Sequence, residues 1–337
     1  MKICVLLGGA SPERNVSLSS GISIGQTLEK MGHQLLYLDP ATPLAEMDTF
    51  RKNLKNISMD DMDFEGMAKR RDPYFIDQIP YLKKEKVDLV FNALHGGNGE
   101  NGVISAVLEM AGIPYTGSGY AASSLAMDKY RTKILAADAG VLCADYEIHT
   151  LPVHRPDRIA FPLVVKPNDA GSSVGVGIFH EPADLLSACR EALKFSNSFI
   201  IESFIPGREF NIPVVAGEIY PVLEVDPGGT YDFNAKYLGH HTKYLVPAPI
   251  PSDITESMQD QALKIYHALG LRNYARVDFR MTPEEKIFLL EANTLPGMTA
   301  SSLVPKSAKA KGIDFPRLLK IIIDDVTQGA SVANKKR

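Results

Sequence analysis

Two short apolar runs in the first hundred residues, each ending in a cluster of glycines, restrict this chain more than any other feature. Residues 2–7 run into Gly8 and Gly9, and residues 87–93 run into His95 and the turn HGGNGENG. An apolar run of this length closed by glycine reads as a buried strand entering a tight turn. Between the two, Leu18, Ile22, Leu28 and Met31 recur near helical spacing, with Ser17 as the expected cap and Gly32 as the stop. Residues 34–38 read as a further strand, and a helix through Met110 is expected after the second glycine turn. Strands alternating with helices imply a parallel sheet, whose ligands gather at the carboxyl ends of its strands, where both glycine turns lie. Residues 40–86 are polar, charge-rich and interrupted by Pro43, Pro73 and Pro80, which reads as short helices and loops.

Further along, residues 127–139 look helical, 161–166 read as a strand, and GSSVGVG at 171–177 reads as a mobile loop entering another strand. A helix over 183–195 and a strand over 199–204 carrying Glu202 precede Pro206 and Gly207, which mark a boundary. Several strands follow 209, then a helix over 254–269, strands over 274–280 and 286–292, and a final helix near 314–327. A chain of 337 residues, 45% hydrophobic, can bury the cores of two or three domains. A net charge of -4 with mixed signs offers no extended basic surface, which argues against a nucleic-acid partner. No stretch approaches bilayer-spanning length, and the first apolar run is too short for a secretory leader. Cys4, Cys143 and Cys189 are far apart with no ligand spacing, as expected of reduced thiols in a cytoplasmic protein.

Chemistry is most legible near the C-terminal end, where ARVDF (275–279) and FLLEANTLPG (288–297) put carboxylates on apolar strands. Glu291 and Asn293 are two apart and share a face; Arg276 and Asp278 do the same on a neighbouring strand. Two carboxylates and an amide oxygen are hard ligands that suit Mg2+ when phosphates and water complete the shell. A cation such as Arg276 beside metal-bound phosphates offsets charge developing in a transfer reaction. The alternative, a buried Arg276–Glu291 salt bridge holding two strands together, stays open at this point. Lys166 ends the run FPLVVKP, the amides of 171–175 can wrap anionic oxygens, and Lys129 offers a second charge. Either lysine alone reads as a solvated charge; the combination points to phosphate. The chain lacks both GxxxxGK[ST] and GxGxxG, so an ATP site here must be of another design.

These segments resemble the D-alanine:D-alanine ligase family of the ATP-grasp superfamily, nearly end to end. The resemblance is carried by LLGGASPERNVSLSSG (6–21), HGGNGENG (95–102), PYTGSGYAASSLAMDK (114–129), VVKPNDAGSSVGVG (164–177), IESFIPGREF (201–210), NAKY (234–237), ARVDF and LEANTLPGMTASSLVP (290–305). It implies α/β and α+β architecture: an N-terminal doubly wound parallel-sheet domain (residues 1–126) followed by a two-part ATP-grasp fold (127–206 and 207–337). It implies an ATP-dependent ligase that condenses two D-alanines through an acyl phosphate for peptidoglycan precursor synthesis. Same-mechanism enzymes using D-lactate, D-serine or another second substrate are the near rivals, and a non-catalytic nucleotide-binding regulator is the distant one. The family pattern would put Lys129 and Lys166 on ATP phosphates, Glu202 with the backbone near Phe204 and Ile205 at the adenine, and Glu209 on the ribose. Asp278, Glu291 and Asn293 would hold two Mg2+ ions, with Mn2+ as an alternative. Glu13 would fix the first D-alanine's ammonium with His95 close by, and Ser302 and Leu303 would receive the second carboxylate. Tyr231, Lys236 and Tyr237 fall on a closing loop, Tyr237 joining Ser172 and Glu13 in a hydrogen-bonded network, while Arg276 and the Gly297 amide would hold the oxyanion. A homodimer is the usual state in the family. Two departures are Asn101, where the family commonly has Asp, and Ser203, where a lysine is frequent.

Overall fold

Three sheets of different geometry carry the chain. The computed structural model describes residues 1–54, 72, 74–151, 156–171, 175–182, 185–226 and 242–334. In the first sheet β1 (Lys2–Leu6) lies between β2 (Gln34–Leu38) and β3 (Leu89–Asn92), all parallel. β3 is buried throughout and β1 nearly so, the near-continuous apolar pattern of strands covered on both faces.

The helix after β1 is α1 (Arg14–Lys30), which begins three residues before the expected cap. Ser11 and Pro12 form its entry: the Ser11 carbonyl accepts from Arg14 N, and its Oγ accepts from Glu13 N. Ser17 therefore lies inside the helix, where its buried Oγ accepts from Gly8 N at 2.9 Å and donates to Ala93 O at 2.8 Å. Gly32 stops the helix as expected, with φ 87°. The short helices α2 (Met47–Asn53) and α3 (Phe75–Lys84) follow. The single helix expected through Met110 is two, α4 (Gly97–Glu100) and α5 (Val103–Ala111), broken at Gly102. Gly102 has φ 96°, and a Cβ there would lie 2.3 Å from Tyr120 O. Asn101 starts α5 by accepting from Val103 N through Oδ1 at 3.1 Å, a task Asn and Asp perform alike.

The helix expected over 127–139 is α7 (Lys129–Asp138), and a separate helix that was not expected, α6 (Tyr120–Met127), precedes it. Asp128 between them caps α7 by accepting from Arg131 N at 2.9 Å. Ala122, Ala126 and Ala136 of this pair pack into the core of the third sheet, not the second. The second sheet is antiparallel, in the order β4 (Tyr146–His149), β7 (Phe199–Ser203), β5 (Leu163–Pro167), β6 (Gly177–Phe179). Its helix α8 (Leu185–Ala192) sets Leu185, Cys189 and Ala192 against Leu163, Val165, Phe199 and Ile201.

The third sheet, antiparallel throughout, is built from β8 (Arg208–Val215), β9 (Glu218–Ile219), β10 (Leu223–Asp226), β11 (Lys243–Leu245), β12 (Tyr274–Met281) and β13 (Ile287–Asn293). The order is β11-β10-β8-β12-β13, with β9 paired to β8. Helix α9 (Ser252–Ala268) covers one face through Met258, Ala262 and Ile265. Two helices end the chain: α10 (Leu303–Ala310), which the periodicity did not announce, and α11 (Phe315–Asn334). Leu318, Leu319, Ile322 and Ile323 of α11 share a core with Ile3, Val5 and Phe91 of the first sheet and with Val215, Tyr274 and Met298. The first and third sheets are thereby joined through common apolar packing. Among the described residues no helix is long and apolar enough to cross a membrane.

Candidate active site

The geometry of β12 and β13 sets the centre. Their register places Asp278 opposite Glu291 and Arg276 opposite Asn293, so four polar side chains meet on one face of an apolar strand pair. The register shifts between Asp278 and Phe279, and bulges of this kind re-aim side chains beside functional sites. The buried Arg276 guanidinium grips Asp278 on its own strand, Nε to Oδ1 at 2.7 Å and Nη2 to Oδ2 at 2.7 Å. This bidentate pair, not an Arg276–Glu291 bridge across the strands, is the ion pair at the site's floor. Asn293 Nδ2 donates to Asp278 Oδ2 at 2.8 Å and reaches Glu291 Oε1 at 3.4 Å. Lys129, at the start of α7, lies 3.9 Å from Glu291 Oε2 and donates to Ala170 O at 2.5 Å. Two facing carboxylates beside an amide are an oxygen set suited to a hard divalent ion once the Asn293 amide turns over. No group of three or more His, Cys, Asp or Glu placed to hold a metal exists among the described residues.

A cavity opens from this centre between the second and third sheets. Val164 and Ile178 line it from one side and Leu289 and Leu290 from the other, with Phe204, Ile205 and Glu209 along its edge. Lys166 and Glu202 stand at its second-sheet end, Lys129, Asp278 and Glu291 at the other. Glu202 is 4% exposed and lies between two buried ammonium groups, Lys166 on Oε1 and Lys133 Nζ at 2.9 Å from Oε2. Burial raises the Glu202 carboxyl, but the two lysines outweigh it and hold it down at about 2. Lys166 is pushed down by burial, with Lys133 and Lys129 adding to the effect and Glu202 opposing it. Lys133 is raised, because Glu202 in particular more than offsets its burial. Glu202 Oε2 is closed off from solvent, with the Lys133 ammonium beside it. The Phe204 amide is already committed to Pro162 O.

A smaller recess continues the cavity past Lys129 and Glu291, lined also by Glu100, Gly171 and Asn293. Glu13, at the entry of α1, closes on this region from the first layer: a Cβ on Gly171 would lie 2.8 Å from its Oε2, and one on Gly96 2.6 Å. Only glycine permits the two loops to approach that carboxylate so closely. His95 is buried, with Nε2 3.1 Å from Ser20 Oγ and a hydrogen bond to the Leu295 backbone. Burial lowers its imidazole to about 4, so the ring is neutral near pH 7. The Leu295–Met298 turn is held from the first layer at two further points. Glu100 accepts from Gly96 N at 3.1 Å and from Leu295 N at 3.4 Å, and Ser20 Oγ accepts from Met298 N at 3.3 Å. Beyond the turn, Ser302 Oγ would be 3.0 Å from a Cβ on Gly297 and accepts from Thr299 N at 3.0 Å, while Leu303 begins α10.

The structure thus gathers Lys129, Lys166, Glu202, Phe204, Ile205, Glu209, Asp278 and Glu291 around one cavity and sets Asn293 in its extension. Ser172, Tyr231, Lys236 and Tyr237 lie outside the described residues. Two residues of the site were missed in the sequence. Lys133 is one turn after Lys129 in MDKYRTK and therefore on its face of the helix; Glu100 is the acid of the second glycine turn, where its burial between Glu13 and Glu291 pushes its carboxyl up.

Comparison with known proteins finds relatives along nearly the whole chain. Residues 2–118 match the family described as D-ala D-ala ligase N-terminus, and residues 141–324 match D-ala D-ala ligase C-terminus. The D-alanine–D-alanine ligase of Syntrophotalea carbinolica is 37% identical over 328 residues, covering 96% of this chain and 95% of its own. That of Pediococcus pentosaceus is 37% identical over 342 residues, covering 96% and 97%. The crystal structure of the Bacillus anthracis D-alanine–D-alanine ligase complexed with ATP superposes with a TM-score of 0.78 at 28% identity, covering 99% of each chain. The chain belongs to the D-alanine–D-alanine ligase family.

Proposed function

We propose that this protein joins two D-alanine molecules into D-alanyl-D-alanine at the expense of ATP, in the cytoplasm, for peptidoglycan precursor synthesis. The observation that carries the reading is the pair of facing carboxylates on β12 and β13 at the end of an apolar slot that also holds Lys129 and Lys166. The working parts are residues 1–126, 127–206 and 207–337, and a homodimer is taken over by analogy with the family.

Adenine fits between Val164 and Ile178 on one side and Leu289 and Leu290 on the other, with Glu202 and the backbone near Phe204 and Ile205 at its edge. Glu209 takes the ribose hydroxyls. Lys129, Lys166 and Lys236 offset phosphate charge. Asp278, Glu291 and the Asn293 amide oxygen would hold two Mg2+ ions, or Mn2+, which when bound neutralise the phosphates during transfer.

Glu13 binds the ammonium of the first D-alanine, with Ser172 and Tyr237 in its hydrogen-bonded network and neutral His95 in the adjoining wall. An oxygen of that substrate's carboxylate attacks the γ-phosphorus, giving an acyl phosphate and ADP. The second D-alanine docks its carboxylate at Ser302 and Leu303, at the amino end of α10. Its amine, having shed a proton, attacks the acyl carbon; Arg276, fixed in plane by Asp278, and the Gly297 amide hold the oxyanion until phosphate leaves. Tyr231 belongs to the loop that excludes water from the acyl phosphate. The test is phosphate release from MgATP with D-alanine, L-alanine, D-lactate and D-serine, alone and in pairs, with products identified by mass. Turnover with D-alanine alone to the dipeptide is expected; no turnover with any pair would overturn the reading.

A further inference from the structure

Lys133 stands behind Glu202, which lines the cavity, and has no part in the reaction described above. It lies one helical turn after Lys129, so α7 sends Lys129 to the carboxylate end of the cavity and Lys133 to Glu202, which lines its other end. It is 2% exposed, its Nζ is 5.5 Å from the centre of the Tyr146 ring, and its ion-pair partner is Glu202. Stability gives no reason for a charge here, because an apolar side chain of similar length would fill the space without the desolvation cost of an ammonium. Charge balance gives one. If Glu202 faced Lys166 alone, the two would form a closed neutral pair, and Lys166 could turn to a phosphate only by stranding a buried carboxylate. With Lys133 present the cluster carries one net positive charge, and Glu202 keeps a partner when Lys166 moves.

We infer that Lys133 is a positioning residue for the nucleotide: it anchors Glu202 at the base end of the cavity and leaves the charge of Lys166 to the phosphates. The inference rests on the nucleotide reading of the cavity and deepens it.

The test measures KM for ATP and for D-alanine, together with equilibrium binding of the non-hydrolysable analogue AMP-PNP with Mg2+. Lys133→Met should raise KM for ATP and the AMP-PNP Kd by about tenfold or more, the usual consequence of unbalancing a buried charge cluster. KM for D-alanine should stay within about twofold of wild type, as expected of a site with no contact to the change. Lys133→Arg should stay near wild type. In the double variant Lys133→Met/Glu202→Gln the cluster again carries one positive charge, and most of the lost affinity should return. Lys133→Gln, alone and with Glu202→Gln, repeats the comparison should the methionine variant not fold. Wild-type AMP-PNP affinity in the single variants, or equal losses for both substrates with no recovery in the double, would overturn the inference. Failure of the wild-type protein to bind AMP-PNP would instead overturn the nucleotide reading on which it rests.

Discussion

Arg276 and Asp278 share a face because they are two apart on a strand, and the letters ARVDF say as much. That the guanidinium closes on Asp278, leaving Glu291 beside Lys129, depends on side-chain reach within a folded pair of strands. On the proposed role, Arg276→Ala removes an oxyanion donor together with the bidentate ion pair to Asp278; single-turnover dipeptide formation should slow by about a hundredfold, on the order of 3 kcal/mol. An unchanged single-turnover rate would remove Arg276 from the acyl step. His95 is the converse case. In sequence it is an even choice between substrate contact and hydrogen-bonded loop residue, and the fold places it between Ser20 and Leu295. Its imidazole stays neutral down to about pH 4 when folded but titrates near 6.5 when unfolded. With the folded value depressed, the associated stability is complete above pH 6.5 and is lost as pH falls toward 4, about 3 kcal/mol in all. Glu100, pushed up, works in the opposite sense: its contribution is present below the ordinary carboxylate range and lost as pH rises. Melting temperatures recorded from pH 4.5 to 7.5 should therefore fall less steeply on the acid side in His95→Asn than in wild type. Parallel curves would mean that His95 is not held neutral.

At the scale of elements, apolar periodicity located most of the strands outside residues 208–245 within a few residues and most of the helices, because each run carries its own period, but it did not give β4. The breaks were harder. Gly102 divides what periodicity read as one helix, through a close approach to Tyr120, and Asp128 caps α7 against a preceding helix that periodicity did not give. Ser17 looks like a cap because a polar residue precedes an apolar recurrence, yet Ser11-Pro12 is the entry, the arrangement in which proline suits a first helical turn. Ser17 instead ties Gly8 to Ala93, linking the loops that follow β1 and β3, where Glu13 and His95 stand. Ser17→Ala leaves the Gly8 amide without that acceptor inside the core, and urea unfolding should register a loss of about 1–3 kcal/mol. A loss within error would show that the two loops hold themselves apart from this hydroxyl.

For the molecule as a whole, the decisive contact is between the two ends of the chain. α11 covers the first sheet, and Ile322, fully buried, touches a core shared with the third. Asn273 strengthens the same junction, its Oδ1 accepting from Gly117 N at 2.8 Å and its Nδ2 donating to Ile322 O at 2.8 Å. Truncating Ile322 to alanine should cost about 2–5 kcal/mol. Because the core is common, the loss should appear in one transition followed alike by probes in residues 1–126 and 207–337. Two separated transitions, only one of them shifted, would show that the parts unfold independently.

The order of residues by itself determined most of the strands and helices, though not β4, α6 or α10, together with the parallel character of the first sheet and the set Asp278, Glu291 and Asn293, since a period of two or of three and a half is a local property. Tertiary structure alone decided that α6 and α7 pack on the third sheet, that Glu202 lies between Lys133 and Lys166, and that Glu100 reaches Leu295 from nearly two hundred residues away. The physical reason is that ion pairing and burial depend on which surfaces meet. The strength of a charge in a protein is set by neighbours far off in the chain and by the water they exclude.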